Sequence, residues 1–123
     1  MNINIKATQI ELSPALQNYV DKRLKKLGKF LDENESPASV QVEIGKETDH
    51  HKQGEVFRAE INIDWQGKRF RAEAVKDDLY AAIDAVKDDI ANEIKRARRK
   101  DTTLLRRGGR MVKNIIRGMY PFK

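Results

Sequence analysis

A chain of 123 residues with 39% hydrophobic side chains is long enough for one domain with a modest core, and its formal charge is +6. It contains no cysteine, which excludes disulfides and thiolate metal sites. No apolar run approaches the roughly 20 residues of a membrane span and no leader pattern is visible, so the expected setting is the reducing cytoplasm. The charge is unevenly spread: residues 1–100 hold 19 Lys and Arg against 18 Asp and Glu, and residues 101–123 hold 6 against 1. The expectation is a balanced domain over 1–101 followed by a basic tail over 102–123, without internal repeats.

From the first residue, Ile3, Ile5 and Ala7 alternate with Asn2, Asn4 and Lys6, the period-2 pattern of a strand with one buried face. Ser13 and Pro14 then open a helix, the hydroxyl capping free amides and the proline standing where its missing N–H costs nothing. Ala15, Leu16, Tyr19, Val20, Leu24, Leu27, Phe30 and Leu31 form its apolar face. Lys22, Arg23, Lys25, Lys26 and Lys29 line the other side, with Asp21 as the single acid. A merely solvated helix face usually mixes signs to gain i, i+4 pairs, and this one does not.

After a polar turn over residues 33–37, Val40, Val42 and Ile44 predict a second strand. Residues 46–54 read as a loop, in which adjacent His50 and His51 lack the further ligands at helical spacing that a metal site needs. Phe57, Ala59, Ile61, Ile63 and Trp65 predict a third strand, and Gln66 with Gly67 a tight hairpin onto Phe70, Ala72 and Ala74 of a fourth. Trp65 and Phe70 share their faces with aliphatic residues, which assigns them to packing and not to base stacking.

Residues 77–100 predict a second helix about 35 Å long. Leu79, Ile83, Val86, Ile90, Ile94 and Ala97 draw its apolar stripe, with Asp77 as the expected N-cap. Asp78 and Asp84 lie toward its positive end, while Lys95, Arg96, Arg98, Arg99 and Lys100 crowd the negative one. Five cations in six residues exceed what capping needs and point to a polyanionic partner. The order β-α-β-β-β-α predicts an α+β fold, a four-stranded, mostly antiparallel sheet with both helices on one face and a polar opposite face. Gly108 and Gly109 break the helical pattern in the tail. Beyond them Met111, Val112, Ile115, Ile116 and Met119 suggest a short amphipathic helix beside Arg106, Arg107, Arg110, Lys113 and Arg117.

No nucleophile, phosphate-cradling glycine loop or paired carboxylate marks catalysis, so no enzyme, cofactor, metal or small-molecule substrate is expected. Three segments carry a more specific signal: the opening MNINIKA, the helix ELSPALQNYVDKRLKKLGKFL and the helix start DDLYAAID. Together with the strand order, these make residues 1–100 resemble the ribosome hibernation promoting factor family, the ribosome-associated inhibitors of bacteria and plastids.

The resemblance implies binding in the neck of the small ribosomal subunit, across the mRNA channel and the A and P tRNA sites, where basic residues of both helices meet rRNA and keep idle ribosomes silent. Arg23, Lys26, Arg96 and Lys100 match family cations, and Tyr80 and Asp84 match the motif of its second helix. Asp89 and Asn92 stand where the family usually carries Lys or Arg. The sequence has no counterpart of the dimerisation domain of long members or of the acidic tail of one short type, so the expectation is a free monomer that does not pair ribosomes unaided. Two other readings fit a basic surface. One is a general double-stranded-RNA-binding module, whose GKKxxK-like basic helix start is not seen; the other is a membrane-surface protein anchored by the amphipathic tail.

Overall fold

The computed structural model describes residues 1–31, 37–47 and 56–119, with side chains described through Lys100. Four strands and two helices follow the expected order: β1 (Asn2–Thr8), α1 (Pro14–Lys25), a 3-10 turn (Lys26–Phe30), β2 (Ser39–Glu47), β3 (Val56–Trp65), β4 (Lys68–Lys76) and α2 (Leu79–Met119). Ser13 caps α1 as its chemistry requires, its hydroxyl accepting from the Leu16 amide at 3.1 Å. Helical winding tightens into the 3-10 turn around Gly28, whose carbonyl accepts from Leu31 at 3.3 Å.

The sheet order is β1-β2-β3-β4, with β1 parallel to β2 through the α1 crossover and the rest an antiparallel meander. Gln66 and Gly67 both have positive φ, the backbone of a two-residue turn whose twist matches the strands it joins. The register brings β1 close to β2 at Gly45, opposite Thr8, where a Cβ would lie 2.2 Å from the Thr8 carbonyl oxygen; only glycine fits there.

One side of the sheet presents Val40, Val42, Ile44, Ala59, Ile61, Ile63, Trp65, Phe70 and Ala74. These pack in a single core with Leu16, Val20 and Leu24 of α1 and Ala82, Ile83, Val86, Ile90 and Ile94 of α2. Trp65 and Phe70 are buried, as their company predicted. The other side carries Lys6, Glu43, Glu47, Arg58, Glu60, Asp64, Arg69, Arg71 and Glu73, and these compensate one another. Arg58 stands within ion-pair distance of Glu43, Glu47, Glu60 and Glu73, and Arg71 pairs with Glu60.

Two details differ from the sequence reading. Asp78 and not Asp77 is the N-cap of α2: its carboxylate accepts from the Ala81 amide at 2.8 Å and its carbonyl from Ala82 at 3.0 Å. The helix also runs through Gly108 and Gly109 to Met119. Each helical glycine costs only about 1 kcal/mol, and the flanking Leu, Arg and Met residues are strong helix formers.

Candidate nucleic-acid interface

The two helices lie side by side and run in the same direction, because contacts between them advance along both together: Tyr19 meets Tyr80, Arg23 meets Asp84, and Phe30 meets Lys95 and Arg98. The cation-rich C-terminal part of α1 and its 3-10 turn is therefore set beside the cation-rich stretch of α2. Only α1 ends here, so its own cations offset one negative dipole end, whereas α2 continues to Met119 and Lys95, Arg96, Arg98, Arg99 and Lys100 are not at a helix end as the sequence pattern suggested.

At the other end of this seam the helices are tied. The Tyr19 hydroxyl donates to the Asp84 carboxylate, 2.8 Å from Oδ1 and 2.9 Å from Oδ2. Arg23 donates from Nε to Asp84 Oδ1 at 2.9 Å and from Nη2 to the Tyr19 hydroxyl oxygen at 3.1 Å, its guanidinium 4.3 Å from the Tyr19 ring centroid. Partial burial and the bond to Asp84 raise the Tyr19 hydroxyl above its ordinary pKa. The bond to Asp84 is the main reason that Arg23 is raised as well. For Asp84, burial alone would push the carboxyl up, but hydrogen bonds from Tyr19 and Arg23, with the charges of Arg23 and Lys87, carry it below the usual carboxylate range.

The sign of that shift fixes a pH dependence. A carboxyl lowered in the folded state adds stability that is present above its unfolded pKa of about 3.9 and is lost as pH falls through the lower, folded value. Asp84→Asn is expected to lower the thermal midpoint at pH 7 while flattening its decline between about pH 5 and pH 3. Circular-dichroism melts across that window check this; parallel curves for variant and parent would mean that the tie adds no stability.

Phe30 organises the basic end. The ammonium groups of Lys29 and Lys95 stand 5.1 and 5.0 Å from its ring centroid, and its carbonyl accepts from Arg98 Nη1 at 3.4 Å. Lys22, Lys25, Lys26, Arg99 and Lys100 are exposed on the same two stretches of chain. Arg96 faces elsewhere, bonded to Glu93 at 2.7 Å in a shallow groove that Asp89 and Asn92 share with Arg71 and Glu73 of β4. Asp89 and Asn92 thus stand on the β4 side of α2, away from the seam. The side chains of Arg106, Arg107, Arg110, Lys113 and Arg117, and both histidines of the 46–54 loop, lie outside the described residues. Among the described residues, no group of His, Asp and Glu could hold a metal ion.

The sequence reading missed two residues of this arrangement, Tyr19 and Phe30, because both sit on the apolar face of α1 and read as core. Lysines at 26 and 29 around a half-buried Phe30 were a faint signal; the Asp84 partner of Tyr19, 65 positions away, left none.

Residues 3–102 match the model of the family described as Sigma 54 modulation protein / S30EA ribosomal protein. The chain belongs to this family. Among its members, the ribosome hibernation promotion factor of Bacillus subtilis is 27% identical over 109 residues, 89% of this chain but 54% of that protein, so the chain spans about half the length of that relative. The ribosome hibernation promoting factor of Pseudomonas putida is 30% identical over 105 residues, covering 85% of this chain and 94% of that one. The crystal structure of the Thermus thermophilus Protein Y N-terminal domain superposes with a TM-score of 0.66 at 31% identity, over 78% of this chain and 98% of that one. The family fold is thus the α+β arrangement described above.

Proposed function

We propose that the protein binds the small ribosomal subunit through the seam between α1 and α2, contacts rRNA phosphates there, and holds idle ribosomes silent by lying across the mRNA and tRNA channel. The observation that carries this reading is the convergence of two basic helix stretches on one surface, while the opposite sheet face spends its charges on internal pairs. Phosphates are bound by charge and position and not by sequence, so such a surface suits a folded RNA whose backbone is the recognised feature. The names of the Bacillus and Pseudomonas relatives support the ribosome as that RNA's setting.

In this reading the protein works in the cytoplasm without consuming a substrate, and acts as a monomer. The tail over 102–123 adds contacts through Arg106, Arg107, Arg110, Lys113 and Arg117. No helix among the described residues is long and apolar enough to cross a membrane.

Sedimentation through sucrose gradients tests the reading. The full chain should travel with small subunits and whole ribosomes, resist competition by a plain RNA duplex, and suppress translation in a purified system. Sedimentation with free large subunits alone, or undiminished translation at saturating protein, overturns it; displacement by plain duplex would make the protein a general double-stranded-RNA binder.

A further inference from the structure

We propose that Tyr80 is a stacking platform for one unpaired nucleobase of the bound RNA, so that the seam reads a splayed-out base as well as phosphates. This rests on the ribosome-binding reading and deepens it. Tyr80 is 44% exposed, while the other aromatic side chains among the described residues are half-buried or buried. A ring serving the core would be covered, as Trp65 and Phe70 are.

Its exposure is combined with firm support. Tyr80 follows the Asp78 cap in the first turn of α2, where the backbone is fixed. Its ring meets that of Tyr19 edge to face, centroids 4.7 Å apart at 84°, and Tyr19 is itself held by Asp84 and lies against the Arg23 guanidinium. A ring braced in this way loses little rotamer freedom when a base lies on it. Among the described residues the Tyr80 hydroxyl has no hydrogen-bond partner, so it is free to donate to or accept from a base edge.

The charge pattern along the seam selects a base at this end and phosphates at the other. Asp77 and Asp78 immediately precede Tyr80, and their carboxylates repel phosphate while tolerating a neutral base; Asp84, one turn on, already has its charge met by Arg23. Lys95 lies fifteen residues beyond Tyr80 along α2, about 22 Å away. A cationic groove that tracks the backbone, joined to an aromatic ring that takes a base, is the combination by which unpaired strands are held. Stacking needs no particular base identity, so the site prefers an accessible base over a sequence.

The test uses the full chain and purified small subunits, with Tyr80→Leu, Tyr80→Phe and Tyr80→Trp. Affinity is measured across a salt series, base-specific chemical modification maps the rRNA, and melts report the fold. Tyr80→Leu should bind about tenfold or more weakly with an unchanged salt slope. It should also lose protection at one unpaired base that the parent, Phe and Trp forms protect. An unchanged footprint with Tyr80→Leu overturns the stacking role even if affinity drops, as does a protein neighbour and no base at this position. If Tyr80→Leu does not fold, the Trp form decides: failure to protect the base overturns the proposal. Absence of ribosome binding by the parent overturns the underlying reading instead.

Discussion

Replacing Lys26, Lys29, Lys95 and Arg98 together by alanine is expected to weaken binding to small ribosomal subunits by at least about a hundredfold near 0.1 M salt. It should also flatten the slope of log K against log salt by about 3 to 4, since each phosphate neutralised contributes about 0.9. These four are exposed, and three of them are gathered on Phe30 from two different helices, so one rigid surface loses its charge at once. The fold should survive, because exposed substitutions away from caps and core cost about 0.5 kcal/mol or less each. Arg23 is left in place on purpose. Its guanidinium is already bonded to Asp84 and Tyr19, so removing it would disturb the helix seam together with the binding surface. Arg69→Ala supplies the control: that cation lies on the opposite sheet face, bonded to Asp64 at 2.8 Å, and its loss should leave both affinity and slope unchanged. A quadruple variant with the parental slope would move the interface off the seam.

What the sequence made legible is what depends on neighbours along the chain. Alternation in β1 to β4, the Ser13 cap, the hairpin at Gln66 and Gly67 and the apolar stripes of both helices are local patterns, and each stands where it was read. Choosing Asp78 over Asp77 as the cap needed the first-turn geometry, which a run of two aspartates does not reveal. The pairing of charges was not legible at all. Arg23 and Arg96 read alike as helix cations, yet one is drawn inward by Asp84 across the seam and the other is held by Glu93 on the β4 side. Phe30 counted as another apolar residue until α2 brought Lys95 and Arg98 to it. Gly45 had no visible reason until the parallel register set it against Thr8.

Ile94→Ala is expected to produce the largest loss of stability, about 2–5 kcal/mol, with a thermal midpoint lower by ten degrees or more. Ile94 is fully buried and is the last such residue of α2 before the cations begin at Lys95. Removing three carbons there deletes their transfer free energy and leaves a cavity that the sheet below and the tied helix beside it cannot easily close. The same variant separates folding from binding. Below its transition it still carries every cation, so its salt slope should equal the parent's even though its midpoint has fallen. A slope that flattens in the folded variant would mean that packing at Ile94 sets the bearing of Lys95 and Arg98 toward Phe30, and that the basic cluster is held by the core beneath it as much as by the ring between its lysines. A midpoint that scarcely moves would mean that the basic end of α2 is not packed on the sheet in solution, and the seam would then have to form on the RNA.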